Sequence, residues 1–214
     1  MATDDNGGGG SAYPSDCEIT RGLLEKAMAR QRSVDDRGYV WRACLAKAEP
    51  VVLLLLDVDG VLTDGTITYT QAGDEIKSFH THDGLGLRLV QQAGVEVGLI
   101  TARSSEVINR RARDLAVSLI FQGVKNKREV YDRIVAERQL EPARIAYMGD
   151  DWLDLPLLTR VGFSVSVPGA VREVRSLVDY VTRKEGGRGA VREVCELIIE
   201  AKGQTSSLLA PYLA

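Results

Sequence analysis

Runs of apolar residues recur along this chain and are separated by short polar stretches. One of them, VVLLLL at residues 51–56, continues directly into Asp57 and Asp59. A continuous apolar run of this length is typical of a strand that is buried on both faces, as in a parallel sheet covered by helices. We predict such a strand here, with the two acids at its carboxyl end, where open α/β sheets place their ligands.

The stretch that follows, at about residues 64–80, has the pattern of a hairpin. Ile67 and Tyr69 alternate with polar residues, a polar turn follows, and the chain returns through Ile76 and Phe79. This alternation predicts two antiparallel strands, and the less regular return strand allows a bulge. We therefore expect a small β-hairpin flap.

The rest of the chain alternates between short apolar runs and amphipathic segments. The pattern predicts helices over 83–93, 105–116, 127–139 and 190–201, shorter helices after Asp151 and after Pro168, and strands over 95–100, 119–121, 144–148, 163–167 and 179–182. Strands and helices that alternate with short connections are typical of an α/β fold, here a doubly wound (Rossmann-like) parallel sheet.

The two ends of the chain lie outside this alternating region. Residues 1–16 are polar and contain four consecutive glycines, which predicts a flexible start. Two apolar groups then predict one or two helices that pack on the main domain or on another subunit: Leu23, Leu24, Ala27 and Met28, followed by Val40, Trp41, Cys44 and Leu45. We divide the chain into an N-terminal extension (1–50), a main domain (51–203) and a C-terminal tail (204–214).

Composition and charge narrow the class of protein. Hydrophobic residues make up 44% and charged residues 27%, as in ordinary soluble globular proteins. The net charge of −3 and the isoelectric point near 5.5 lack the electrostatic signature of nucleic-acid or membrane binding. Cys17, Cys44 and Cys195 are far apart, which favours reduced thiols, and the first residues lack the pattern of a signal peptide. We expect a cytoplasmic protein.

Polar residues of distinct types stand at the predicted strand ends. Asp57 and Asp59 follow the first strand, Thr101 follows the next, Lys127 ends a loop after the third, and Asp150 follows the fourth. Strand carboxyl ends converge at one edge of a parallel sheet, so we expect these side chains to lie together. Phosphoryl transfer needs this set: a nucleophile, an acid/base, a cation, a hydroxyl donor and metal ligands.

Each of these residues receives a catalytic role. Asp57 is the candidate nucleophile, which would form an aspartyl-phosphate, and Asp59 is the candidate general acid and then general base. Lys127 and the Thr101 hydroxyl would hold phosphoryl oxygens. Paired carboxylates repel each other unless a cation lies between them, so we assign Mg²⁺ to Asp57, Asp59 and Asp150.

Simpler explanations compete with these roles. The acids could form a surface turn or cap a helix, Lys127 could be a solvated lysine at a helix start, and Thr101 could be an N-cap. Asp151 or Asp154 could also contact the metal, although Asp154 fits better as an orienting or capping residue.

Candidate substrate contacts are less sharply defined. We assign substrate binding to Gly60, Arg88, Ala102, Arg103 and Arg188. The three arginines could also be ordinary surface residues, and Arg188 is the strongest candidate because it lies in a glycine-rich loop. That loop lacks the GK[ST] ending of a Walker loop. His80 and His82 form an HxH pair, which we interpret as the exit of the hairpin rather than as metal ligands.

The motifs, in this order, resemble those of the haloacid dehalogenase (HAD) superfamily of phosphatases. The first motif of that superfamily, DxDGxxxD, is matched by residues 57–64; the second by Thr101, the third by Lys127 and the fourth by Asp150 and Asp151. A lone DxD would be a weak signal, because metal-dependent glycosyltransferases also use one. The four-part resemblance covers about residues 51–202 and implies a HAD-like fold and Mg²⁺-dependent phosphatase activity.

Longer segments are similar to the family of 3-deoxy-D-manno-octulosonate 8-phosphate (KDO8P) phosphatases, which release KDO for lipopolysaccharide synthesis. They include DVDGVLTDG, QGVKNK, GDDWLDLP and DYVTRKEGGRGAVREVCELIIEAKG. The similarity implies a homotetramer without a cap domain, in which the hairpin builds an inter-subunit barrel and the C-terminal tail can reach a neighbouring active site. The spacing agrees, because only a hairpin and one helix fit between Asp57 and Thr101. A site without its own lid is expected to be completed by a neighbouring subunit.

The chain departs from the family pattern at three places. Ala102 stands where glycine is common, His82 stands where arginine is frequent, and the N-terminal extension is longer than usual. Two other functions stay open: a phosphatase for a nine-carbon (sialic-acid-like) keto-sugar 9-phosphate, and a non-catalytic HAD-like oligomerisation module. Asp59 and Lys127 argue against the module, because a scaffold needs neither an acid/base nor a phosphate-binding lysine.

Overall fold

A computed structural model describes residues 18, 21–23, 25 and 38–213. From residue 38 onward the helices are α1 (Gly38–Ala48), α2 (Thr81–Gln92), α3 (Glu106–Asp114), α4 (Lys127–Arg138), α5 (Leu155–Leu158), α6 (Arg172–Leu177), α7 (Ala190–Ala201) and α8 (Thr205–Leu209). The strands are β1 (Leu53–Leu56), β2 (Thr68–Tyr69), β3 (Glu75–Ile76), β4 (Glu96–Ile100), β5 (Leu119–Phe121), β6 (Ile145–Met148), β7 (Phe163–Ser166) and β8 (Tyr180–Val181). Among the described residues, no helix is both long enough and apolar enough to cross a membrane.

Six of these strands form one parallel sheet in the order β5-β4-β1-β6-β7-β8. The order reverses direction at β1, which pairs with β4 on one side and with β6 on the other. The predicted α/β fold with a doubly wound parallel sheet is therefore confirmed. The crevice outside the carboxyl ends of β1, β4 and β6 is the place where such a sheet binds ligands.

The apolar run of β1 follows from its central position. All four of its leucines are buried, with exposed fractions of 0–1%. The amphipathic helices α2 and α7 pack against each other and add Leu87, Val90, Val194 and Ile198 to the same core. A strand in this position needs apolar side chains on both faces, which explains why the run does not alternate.

The hairpin stands apart from the main sheet. Strands β2 and β3 pair antiparallel over two residues each, with Tyr69 opposite Glu75. Ile67, Tyr69 and Ile76 are exposed by 45%, 60% and 49%. A two-stranded hairpin of this size is marginal in water by itself, so its position depends on contacts outside the ladder.

Three predicted elements differ from the structure in extent. The helix predicted after Pro168 begins only at Arg172, because the Val171 N–H first donates to the Asp150 carbonyl at 3.1 Å. The segment after Asp151 begins as a 3₁₀ turn and becomes helical only at Leu155. The predicted C-terminal tail forms α8 and a 3₁₀ turn, because the side chain of Leu208 packs against the core.

The end of the N-terminal extension packs on the main domain. In α1, Trp41 and Cys44 are buried in the common core, Leu45 packs against it, and Val40 is 55% exposed. The earlier apolar group lies mostly outside the described residues, and so does the predicted flexible start; Leu23, which is described, is 48% exposed. The boundary at residue 50 stays a prediction.

We predict that Leu54→Ala destabilises the protein by about 2–5 kcal/mol, because it removes a fully buried side chain from the central strand and leaves a cavity. Urea unfolding monitored by tryptophan fluorescence measures this loss. Leu153→Ala is the control, since that leucine is 58% exposed and its loss is expected to change stability by about 0.5 kcal/mol or less. Equal losses in both variants would contradict the burial of β1.

Candidate active site

The ends of the central strands bring predicted site residues to one edge of the sheet. Asp57 follows β1 directly, and its backbone N–H donates to the Met148 carbonyl at 2.9 Å, which ties the end of β1 to the end of β6. Asp150 lies two residues beyond β6. Thr101 follows β4, the other parallel neighbour of β1. These residues are far apart along the chain, and the parallel register collects them at the same edge.

Lys127 enters this group from the first residue of α4. Asn126 caps that helix, and the lysine side chain is buried, with only 3% of it exposed. Its Nζ lies 2.9 Å from Asp57 Oδ1 and 2.6 Å from Asp154 Oδ1, and it donates to the Tyr147 hydroxyl at 3.2 Å. A cation at a helix N-terminus opposes the helix dipole, so two buried carboxylates account for its position. The alternative of a solvated lysine does not hold.

Asp154 orients the loop that carries Asp150. It is fully buried, and its Oδ1 accepts from the Tyr147 hydroxyl at 2.5 Å. Its Oδ2 accepts from the backbone N–H groups of Asp150 and Asp151 at 2.9 Å and 3.1 Å. The Asp151 side chain in turn accepts from the Trp152 N–H at 2.7 Å and completes a capping box. Asp154 and Asp151 therefore position the loop, as a capping role requires.

Three carboxylates come close enough to share a cation. One oxygen from each of Asp57, Asp150 and Asp154 lies within 4.8 Å of the other two. Gly60, with φ of +87°, makes room for this group, since a Cβ there would lie 2.0 Å from Asp150 Oδ2. The Asp59 carboxylate lies outside this group, and its assignment as a metal ligand stays a prediction.

Burial and mutual repulsion perturb these acids. Burial, together with the nearby Asp154 charge, raises the pKa of Asp57 to about 6 against the opposing effect of Lys127. Burial, with the charges of Asp154 and Asp57, raises the pKa of Asp150 to about 7. One lysine does not balance three carboxylates, so the group has a deficit of positive charge. Closely spaced carboxylate oxygens are the ligands that Mg²⁺ prefers, and the donor set fits that ion.

A cleft of about 330 Å³ opens beside Asp150. Its lining contains two predicted substrate residues, Gly60 and Arg188, and is completed by Asp64, Gly65, Asp150, Val167, Gly169, Glu185 and Gly186. The glycine-rich loop packs closely here, since a Cβ on Gly186 would lie 1.8 Å from the Gly60 carbonyl oxygen. The Arg188 side chain is 71% exposed, and its guanidinium lies 3.9 Å from Asp64 Oδ2. The cleft can therefore present an exposed cation to an anionic ligand.

A chain of ion pairs connects the flap to the site. The Asp59 carboxylate pairs with Lys77 of the flap, and Lys77 also lies 2.6 Å from Glu75 Oε1. Arg103 donates to Glu75 Oε2 at 2.8 Å and to the Tyr69 hydroxyl at 3.1 Å. Sequence reasoning missed Lys77 and Glu75. The available signal was the pair of charged residues on the irregular return strand.

Thr101 and its neighbours shape the second loop. The Thr101 side chain is buried, and its Oγ1 accepts from the Arg103 N–H at 3.2 Å. The hydroxyl oxygen thus supports its own loop. Ala102, between them, is exposed.

Three residues singled out from the sequence lie away from the strand-end group. Arg88 donates to the Asp114 carbonyl at 2.6 Å, at the far end of α3, and the structure does not bring it to the strand-end group. His80 caps α2, and its Nδ1 accepts from the His82 N–H at 3.2 Å. The HxH pair is thus explained by a helix start that follows the hairpin.

Comparisons with known proteins identify relatives over most of the chain. The profile of the haloacid dehalogenase-like hydrolases matches residues 117–194. The 3-deoxy-D-manno-octulosonate 8-phosphate phosphatase KdsC of Escherichia coli (strain K12) is 42% identical over 167 residues, which cover 78% of this chain and 89% of that protein.

Two solved structures extend this similarity. The phosphatase of the same name from Moraxella catarrhalis, in complex with magnesium, phosphate and KDO, superposes with a TM-score of 0.78 at 40% identity and covers 79% of this chain and 98% of its own. The cobalt-bound phosphatase from Haemophilus influenzae superposes with a TM-score of 0.72 at 38% identity, and the match covers 75% of this chain and 94% of that one.

The parallel sheet, the acidic strand ends and the buried lysine define a haloacid dehalogenase-like hydrolase. The Escherichia coli relative, which is 42% identical over 78% of this chain, identifies the family within this class. The chain belongs to the 3-deoxy-D-manno-octulosonate 8-phosphate phosphatase family.

The raised pKa values predict how stability depends on pH in the metal-free protein. An acid whose pKa is raised by folding binds more protons in the folded state, so its contribution to stability falls as pH rises from about 4 to about 7. The free energy of unfolding of Asp150→Asn minus that of the wild type should therefore rise by on the order of 2 kcal/mol between pH 5 and pH 8, because the wild type loses stability over this range and solvent partly screens the charge. Urea unfolding in EDTA at both pH values measures this gain.

Asp132→Asn is the matched control, because that carboxylate lies on α4 with its side chain 56% exposed. The difference in unfolding free energy between Asp132→Asn and the wild type should be the same at pH 5 and at pH 8. A constant difference between Asp150→Asn and the wild type would contradict the electrostatic description of the site.

Proposed function

We propose that this protein hydrolyses the phosphate monoester of KDO8P to KDO and inorganic phosphate, with Mg²⁺ as cofactor. The observation that carries the proposal is the group at the sheet edge formed by the buried Asp57 and Lys127 and the half-buried Asp150, in a chain 42% identical to a phosphatase named for that substrate.

Asp57 is the nucleophile of the first step. One of its carboxylate oxygens attacks phosphorus, the bond from phosphorus to the sugar oxygen breaks, and Asp59 gives a proton to the leaving oxygen. The products of this step are free KDO and an aspartyl-phosphate on Asp57. Lys127 and Thr101 hold phosphoryl oxygens, the lysine through its charge and the threonine through its hydroxyl.

The second step returns the enzyme to its starting state. Asp59, now ionised, takes a proton from a water molecule, whose oxygen attacks phosphorus and releases inorganic phosphate from Asp57. Splitting the reaction into two displacements lowers the barrier of an otherwise very slow hydrolysis.

Mg²⁺, held by Asp57 and Asp150 with Asp59 as a further predicted ligand, would offset the negative charge of the carboxylates and of the phosphoryl group. Asp154 keeps the Asp150 loop in place through two backbone N–H groups. Gly60, Ala102, Arg103 and Arg188 are the proposed substrate contacts of this subunit.

The alternatives make different demands on the same site. A nine-carbon keto-sugar 9-phosphate would use the same catalytic group, and only a comparison of substrates separates it from KDO8P. A non-catalytic module would not need Lys127, which is buried between two acids at a cost in desolvation.

We also propose a cytoplasmic homotetramer in which neighbouring subunits complete each site; substrate contact by Arg88 stays a prediction. The apolar side chains exposed on a marginal hairpin support the assembly. Cys44 and Cys195 are buried and free, which agrees with a reducing compartment.

We predict that the wild type releases phosphate from KDO8P in the presence of Mg²⁺ and that EDTA abolishes this release. Asp57→Asn should lower kcat by about 10⁴-fold or more, because an amide cannot form the acyl-phosphate. A phosphate-release assay over KDO8P, a nine-carbon keto-sugar 9-phosphate and simple sugar phosphates measures both effects.

Asp132→Asn should keep wild-type kcat in the same assay. Activity that survives in Asp57→Asn would refute the aspartyl-phosphate mechanism. A higher kcat/KM for the nine-carbon substrate would reassign the substrate, and a lack of turnover of every substrate by the wild type would favour the scaffold.

We predict that the double substitution Ile67→Lys and Ile76→Lys reduces the tetramer to smaller species, because charges would replace apolar side chains at the flap interface. Size exclusion with light scattering measures the mass. Val40→Lys on α1, which is 55% exposed, is the control and should leave the tetramer intact. A tetramer that persists in the double variant would place the interface elsewhere.

A further inference from the structure

Lys77 occupies an unusual position for a residue of an exposed hairpin. Only 1% of its side chain is exposed, although the flanking Ile76 is 49% exposed. Its ammonium group lies between the carboxylates of Asp59 and Glu75. Burial of a lysine is unfavourable unless its charge is paired, so these two carboxylates hold the side chain inward.

The two partners depend on Lys77 to different degrees. Glu75 has a second cation, Arg103, at 2.8 Å. Within the described residues, the Asp59 carboxylate has Lys77 as its side-chain partner, through Oδ1. The other oxygen, Asp59 Oδ2, is buried and accepts no hydrogen bond from these residues. Lys77 therefore holds one oxygen of Asp59 and leaves the other without a hydrogen-bond partner among the described residues.

We propose that Lys77 is a positioning residue for Asp59: it fixes the carboxyl group by one oxygen so that the other faces the leaving group and then the attacking water. This inference rests on the proposed function of Asp59 as acid and base. It makes the flap a part of the catalytic apparatus of its own subunit, because Lys77 reaches Asp59 across 18 positions of the chain.

A purely structural role for Lys77 predicts a different result. If the lysine only tethers the flap, its loss would affect every substrate alike. A positioning role acts through proton donation to the leaving oxygen. The decrease in activity on removal of Lys77 should then depend on how much the leaving group needs a proton. A sugar alkoxide leaves poorly without one, whereas p-nitrophenolate leaves readily as an anion.

The experiment compares kcat/KM for KDO8P and for p-nitrophenyl phosphate in the wild type and in Lys77→Met. This constant covers the steps up to departure of the alcohol, so the shared hydrolysis of the aspartyl-phosphate does not enter. We expect Lys77→Met to lower kcat/KM by about 10²-fold for KDO8P and by about threefold or less for p-nitrophenyl phosphate. Equal losses for the two substrates, or no loss for KDO8P, would overturn the proposal.

Companion variants keep the test decisive. Lys77→Arg keeps a cationic donor and should recover most of the loss for KDO8P; a folded arginine variant as slow as Lys77→Met would count against positioning. Lys77→Gln replaces the methionine variant if the latter does not fold. Lys47→Met is the matched control, because Lys47 also pairs with an aspartate, Asp179, away from the site, and it should leave both constants unchanged.

A double substitution tests whether Lys77 acts through Asp59. In an Asp59→Asn background, Lys77→Met should have little further effect on kcat/KM for KDO8P, within about threefold. A further loss as large as in the wild-type background would show an independent role and overturn the proposal. Wild-type protein that turns over neither substrate would instead refute the proposed function, before Lys77 is tested.

Discussion

Several negative charges held in a small buried space are the constraint on which this structure depends. Asp57, Asp150 and Asp154 approach within 4.8 Å, and Lys127 is the buried cation between two of them. Repulsion of this kind would expel or protonate the acids if nothing opposed it. The fold opposes it with backbone donors, since two N–H groups point at Asp154, and with the start of α4, which delivers Lys127. The remaining imbalance is the driving force for binding a divalent cation.

The parallel sheet makes this concentration of charge possible. The central strands β1 and β6 are almost entirely apolar, and their acids follow the strand ends, so these carboxylates lie at the rim of the core rather than inside it. Tyr147 is an exception, because its hydroxyl reaches Asp154 from within β6. The core and the site are thus built from the same strands.

Most of the fold could be predicted from the sequence, and so could the strand-end residues. The run before Asp57 is long and apolar, and the rule that parallel strands share a carboxyl edge then places Thr101 and Asp150 near it. The pattern of apolar residues is sufficient for this prediction, because Asp57, Thr101 and Asp150 each follow closely on an apolar strand.

Other parts of the site could not be predicted, because they depend on tertiary placement. The pairing of Lys77 with Asp59 requires the position of the flap, which no periodicity encodes. Tyr147 resembles an ordinary core residue of a strand, and the direction of the Arg88 side chain follows from the carbonyl at the end of α3. Helix α8 forms because Leu208 finds an apolar surface that is built by distant residues.

The contact between Gly186 and Gly60 limits which residues of this cleft can be substituted during evolution. Backbone meets backbone there, with no space for even a methyl group on Gly186. The floor of the cleft is therefore made by the main chain and is closed to adjustment by side-chain replacement. Divergence toward another ligand would have to proceed at the rim, where the exposed Arg188 side chain has space for a replacement of different size or charge.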